Sequence, residues 1–283
     1  MTEYVDIAGG RIAYDEAGTG PLVVLSHGMG IDRNVNKHLM PLLVAAGYRV
    51  INTDMRGHGE SSLDWASETG KAAISRTDVA NDLLAVIEKL GGEPAILIGH
   101  SLSGGSVTIA AALRPDLVRA VVEINPFTLT QKVDVAALFT NSRHRSGMIP
   151  LMATMMLKSV GQWLKYLKVA MPSNPADRDE YLAEVAAKLA EPGRMAEFMK
   201  TGKSTPADAE AQVPNVTQPV LVIMGGADPD FPSPEAEGKR IVDALPAGLG
   251  SLAIVPGTGH YPQFEKADQV AELVLPFLKE NLA

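Results

Sequence analysis

The chain has 283 residues, 46% of them hydrophobic, enough to bury a sizeable core in one α/β domain that carries an insertion. Its 33 acidic and 25 basic residues leave a formal charge of −8, which argues against nucleic acid or an anionic membrane surface as a partner. With no cysteine at all, disulfides, thiolate nucleophiles and thiolate metal sites are excluded.

In chain order, the opening MTEYVDIAGGRIAYDEAGTG lacks the basic start and apolar run of a secretory signal, so a cytoplasmic protein is expected. Tyr4 to Ala17 reads as a hairpin turning at Gly9-Gly10. No apolar stretch reaches the roughly 20 residues that cross a bilayer, so no membrane insertion is expected. The runs Pro21 to His27, Tyr48 to Asp54, Pro94 to His100 and Val118 to Asn125 read as strands buried on both faces. Helical patterns separate them at Lys37 to Ala46, Arg76 to Leu90 and Gly104 to Arg114, the order of βαβ units around a mostly parallel sheet.

From Phe127 to Ala211 the strand signal disappears into several helices rich in Met, Leu, Ala and Lys. The parallel pattern returns at Pro219 to Asp228 and Ser251 to His260, with helices at Pro234 to Ala244 and Ala267 to Asn281. The expected organisation is an α/β core of residues 1–126 and 212–283, with residues 127–211 inserted as an all-helical lid.

In an open α/β sheet, ligands bind at the carboxyl ends of the strands, where His27, Ser101, Asp228 and His260 stand. Ser101 lies in AILIGHSLSGGSVTIAAAL (Ala95 to Leu113), between a strand run and a helix run. On that stretch alone it is either a nucleophile held in a strained turn or a helix N-cap. Asp228 precedes a proline, which is also ordinary turn chemistry. Together the three residues supply a nucleophile, an orienting carboxylate and a base in the chain order Ser, Asp, His.

Five motifs carry a resemblance to the α/β-hydrolase superfamily over nearly the whole chain: LSHGMG (Leu25 to Gly30), DMRGHGESS (Asp54 to Ser62), GHSLSG (Gly99 to Gly104), GGADPDFP (Gly225 to Pro232) and GTGHYPQFE (Gly257 to Glu265). The resemblance implies Ser101 as nucleophile, His260 as base and Asp228 as the orienting acid, with Asp230 the fallback. It also implies an oxyanion hole built from the backbone N–H groups of Met29 and Leu102. No metal and no organic cofactor are needed. The chain departs from the elbow formula G-x-S-x-G by placing Ser103 at the fifth position, with Gly104 next. His27, His58 and His100 read as structural, and His38 and His144 have no partner visible in sequence.

A serine at the elbow argues against the haloalkane dehalogenase and epoxide hydrolase branches, whose nucleophile is an aspartate. Met148, Met152 and Met155 share one helical face, either as packing or as a flexible apolar wall over the site. Either way a strongly charged substrate is not expected. Trp163 and Tyr166 with Lys158, Lys165 and Lys168 fit an amphipathic helix with a solvated face better than one lying on lipid. The implied activity is hydrolysis of a small to medium, largely apolar carboxylic ester or lactone. The alternatives are a carbon–carbon bond hydrolase of ring-cleavage pathways, which typically has Trp where this chain has Tyr261, a cofactor-free perhydrolase or haloperoxidase, and a triad-bearing small-molecule receptor.

Overall fold

The computed structural model describes residues 2–67, 72–131 and 134–281. Eight strands form one sheet: β1 (Glu3–Ile7), β2 (Gly10–Ala17), β3 (Leu22–Ser26), β4 (Arg49–Thr53), β5 (Ala95–His100), β6 (Val118–Ile124), β7 (Val220–Gly225) and β8 (Gly250–Val255). Their spatial order is β1-β2-β4-β3-β5-β6-β7-β8. The hairpin pair is antiparallel and joins β4 antiparallel, and every later pairing is parallel.

The central strands are apolar throughout because helices cover both faces. Successive residues of a strand point to opposite sides, so Val24, Leu97, Val121 and Val222 enter one core with helices α2 (Arg76–Lys89) and α3 (Leu102–Leu113). Val23, Ile96, Val122 and Ile223 enter the other, against α1 (Leu39–Ala45) and the last helix, Ala267–Asn281. A reciprocal capping box between Ser75 and Asp78 starts α2 and so fixes where Arg76 stands.

Between β6 and β7 the described residues form only helices: α4 (Val135–Thr140), α5 (Ser142–Leu157), α6 (Val160–Ala170), α7 (Arg178–Ala190), α8 (Arg194–Thr201) and the short α9 (Ala207–Glu210). Trp163, Tyr166, Tyr181 and Phe198 gather in a third cluster that reaches Ile31 and Val35, after β3, and Tyr261 and Phe264, after β8. Trp163 stacks on Tyr166 at 4.9 Å and donates its indole N–H to Gly30 O at 2.8 Å. Both rings are buried while Lys158, Lys165 and Lys168 are exposed, so α6 turns its aromatic face to the sheet domain and its solvated face to water. Two further helices, α10 (Pro234–Ala244) and α11 (Pro262–Glu265), precede the last, α12 (Ala267–Asn281).

Candidate active site

Strand β5 ends at His100 and α3 begins at Leu102, so Ser101 alone turns the chain. Its backbone sits at φ 57° and ψ −117°, a conformation costly for any residue with a Cβ. Ser101 occupies the N-cap position, yet its side chain makes no capping bond, which leaves the hydroxyl unspent. The turn closes because Gly99 and Gly104 let backbones meet: a Cβ at Gly99 would strike the Ser103 carbonyl, and one at Gly104 would strike Pro126. At the fifth elbow position the Ser103 hydroxyl donates to His27 O at 2.5 Å and lies 2.9 Å from Ser26 Oγ, tying the elbow to the end of β3.

The loop after β3 lies flush against this corner. A Cβ added at Gly28 would come within 2.7 Å of Ser101 Cβ. Met29 follows Gly28, and the Leu102 N–H belongs to the first turn of α3, where helix geometry supplies no backbone partner.

Asp228 and His260 come from the loops after β7 and β8. Asp228 is fully buried; its Oδ2 accepts the His260 Nδ1–H at 2.7 Å and its Oδ1 accepts the Asp230 backbone N–H at 2.8 Å. In the neutral ring that bond places the proton on Nδ1 and leaves Nε2 open for proton transfer. Asp230 lies farther off, with Oδ2 at 3.5 Å from His260 Nδ1, and both its oxygens accept from the Tyr166 hydroxyl, at 2.9 and 2.8 Å. Burial disfavours the charged form of His260, but Asp228 and Asp230 outweigh it and push the ring up to about 9. Burial, with the charge of Asp228, raises the Asp230 carboxyl against the pull of His260. Among the described residues no hydrogen bond joins Ser101 Oγ to the His260 ring; such bonds often tighten only when substrate is present. Ligand atoms of Asp228, Asp230 and His260 lie within 4.8 Å of one another, the one described group with metal-like spacing. Hydrogen bonds among themselves and from Tyr166 already account for their placement.

Three residues that the sequence reading passed over hold these loops. Asn125, at φ 42° after β6, donates to Gly259 O at 2.8 Å and accepts from Gly225 N at 2.7 Å, linking the acid loop to the histidine loop. Glu265 accepts from Gly259 N at 2.7 Å and, through its other oxygen, from Ser173. Tyr166 is the third. The signal for Asn125 was its place at a strand's carboxyl end, where Asn tolerates a positive φ. For Glu265 and Tyr166 nothing local marks the role.

The remaining histidines serve as braces. Burial holds His27 and His58 down to about 4, and His100 well below the usual range, so all three are neutral. His27 donates from Nδ1 to Gly28 O and accepts from Met55 N at Nε2, His58 donates to Arg56 O, and His100 donates from Nε2 to His260 O. His144 donates to Pro229 O, and His38 bonds Asp177.

Two cavities meet at a partition formed by Phe127 and Gln131. One, of about 350 Å³, is lined by Ser101, Leu102, Met29, Arg76 and Thr205 among others. The second, of about 420 Å³, is more apolar and is lined by Leu138, Met148, Leu151 and Met152, with Asp230 on its wall. The methionine stripe therefore divides. Met155 does not line this cavity: one turn farther along α5 it packs against the aromatic cluster, and a Cβ added at Gly202 would collide with its Cε.

A sequence model described as the alpha/beta hydrolase family matches residues 23–273. The chain belongs to that family. Among this hydrolase-family chain's relatives is the 2-(acetamidomethylene)succinate hydrolase of Mesorhizobium japonicum, 30% identical over 92% of this chain and 89% of the relative. A thermophilic esterase from Thermogutta terrifontis shares the fold, with TM-score 0.76 and 20% identity over the whole of both chains. So does a meta-cleavage product hydrolase from Pseudomonas fluorescens IP01, with TM-score 0.76 and 20% identity over 98% of this chain and 97% of the other. No described helix is long and apolar enough to cross a membrane.

Proposed function

We propose that this family member is a serine hydrolase that cleaves a small to medium carboxylic ester or lactone through an acyl-enzyme. Ser101 Oγ attacks the acyl carbon as His260 Nε2 takes its proton, and the same nitrogen later delivers that proton to the leaving group. Asp228 holds the imidazole in the Nδ1–H tautomer and stabilises the imidazolium. The oxyanion faces the N–H groups of Met29 and Leu102. Water then attacks the ester at Ser101, and the acid product leaves.

The observation that carries this reading is the 2.7 Å Asp228–His260 bond at the strand ends beside a serine whose backbone is strained and whose hydroxyl caps nothing. Residues 127–211 act as the lid over the core formed by residues 1–126 and 212–283, with Met148 and Met152 as an adaptable apolar wall. A second reading, opening of an amide, is favoured by the relative that acts on an acetamido compound; the acyl-enzyme is the same and only the leaving group differs.

The test is active-site labelling followed by turnover. Phenylmethylsulfonyl fluoride should modify Ser101 alone, and p-nitrophenyl esters of graded chain length should be turned over many times in preference to a ring-cleavage dienoate. Labelling elsewhere defeats the nucleophile assignment, preference for the dienoate transfers the site to carbon–carbon chemistry, and a single stalled cycle points to a receptor.

A further inference from the structure

Arg76 opens α2 directly after its capping serine, and its stem runs beneath the helix that Ser101 begins: a Cβ added at Gly105 would come within 2.7 Å of Arg76 Cδ. Only 5% of the residue is exposed. Nε donates to Phe127 O at 2.8 Å, while Nη1 is buried and has no hydrogen-bond partner. Among the described residues, no carboxylate forms an ion pair with it. Asp208 attracts it at a distance, but that carboxylate is occupied by the Thr77 amide and hydroxyl and by the Ala209 amide.

A buried charge with no countercharge is among the costliest features a fold can carry. Burial lowers the guanidinium only to about 10, so it remains a cation at neutral pH. The expectation that the substrate is not strongly charged, drawn from the methionine stripe, does not account for it. Arg76 lines the cavity of Ser101, where the other polar side chains are neutral, among them Thr130, Gln131, Ser204 and Thr205. The carboxylate of Asp230 stands on the wall of the other cavity, across the Phe127 partition. Among the described lining residues the two chambers thus differ in sign: one has the Arg76 cation and no carboxylate, the other has the carboxylates of Asp134 and Asp230 and no lysine or arginine.

We propose that Arg76 is a specificity residue that binds a carboxylate on the substrate itself, so that the compound hydrolysed is an acyl derivative of a short dicarboxylic acid or an equivalent anion. The planar Nη edge left over after the Phe127 bond suits a carboxylate oxygen, and such charge-assisted bonds are about twice as strong as neutral ones. This inference rests on Ser101 as nucleophile, since the anion is placed relative to the acyl carbon it attacks.

The experiment compares the monomethyl esters of succinate, glutarate and adipate with methyl butyrate, valerate and hexanoate, pairs that differ in a carboxylate against a methyl group. In the native enzyme at least one half-ester should exceed its neutral partner in kcat/KM by about tenfold or more, the size of one hydrogen bond to a charged group. Arg76→Gln should bring that ratio to about one, and Arg76→Lys should restore part of it. A neutral ester preferred at every length, or a ratio that survives Arg76→Gln, overturns the proposal. If Arg76→Gln does not fold, calorimetry on the native protein decides: succinate, glutarate or adipate must bind more tightly than the matching diamide, and equal or absent binding defeats the assignment. The same titration on Ser101→Ala separates the two readings, because dicarboxylate binding there survives even if Ser101 proves not to be the nucleophile.

Discussion

Replacing Asp230 with Asn should move the pH dependence of turnover and leave its maximum within a small factor. Asp230 Oδ2 stands 3.5 Å from His260 Nδ1, and two unit charges at that separation attract by about 5 kcal/mol at an effective dielectric of 20. Asp230 is itself raised by burial, so only part of that acts at neutral pH. Even a third of it moves the imidazole by about one pH unit. The sign follows from which form is stabilised. Asp230 favours the imidazolium, so its removal lowers the ring from about 9 and the neutral, proton-accepting form persists to lower pH. The other groups that face the ring stay in place: Asp228 from the same loop, Glu265 from α11, His100 from the end of β5, Tyr166 from α6 and the neighbouring Tyr261. With a neutral methyl ester in a pH-stat, the acid limb of kcat/KM should shift downward by about one unit or more. A limb that stays put, or rises, would refute the assignment of Asp230 as a charge that sets the base strength of His260.

Ser101→Ala should cost about 10⁶-fold in turnover with the fold intact, and a folded variant that keeps a tenth of the native rate contradicts the mechanism. Asp228→Asn should lose about 10⁴-fold through the wrong tautomer, far more than Asp230→Asn; equal losses would make the orienting role a shared one. Met148→Ala with Met152→Ala should shift the chain-length profile of kcat/KM toward longer acyl groups with little change in melting temperature. Met155→Ala should do the opposite, lowering stability toward the 2 kcal/mol end of the range for core Met truncations and leaving the profile alone; one common effect for all three positions would contradict the division of the stripe.

The sheet was readable because its inner strands are continuous apolar runs, and a parallel sheet covered on both faces requires that. The elbow was readable because glycine spacing reports where backbones touch. Helix α3 begins two residues earlier than its periodicity suggests, since Ser101 by itself makes the corner and no loop is needed. What local pattern could not show is contact across long separations. Asn125 meets Gly259 from 134 residues away, and Tyr166 meets Asp230 from 64. The methionines share a helical face, but that face spans two environments, a cavity and an aromatic cluster, which only the packing of α5 in the fold distinguishes. Arg76 looks like any first-turn arginine until the fold around it is seen and, among the described residues, no carboxylate pairs with it.

The Tyr166 hydroxyl belongs to the helical segment, whereas the carboxylate it holds belongs to the sheet domain and stands beside His260. Any motion of α6 away from the sheet must therefore break a hydrogen bond to Asp230 and alter the charge that His260 feels. If residues 127–211 are the lid proposed above, access and basicity are mechanically linked, and an engineered exchange of that segment for the corresponding one of a relative would transplant a pH profile along with a substrate preference, unless a tyrosine were rebuilt where Tyr166 now stands.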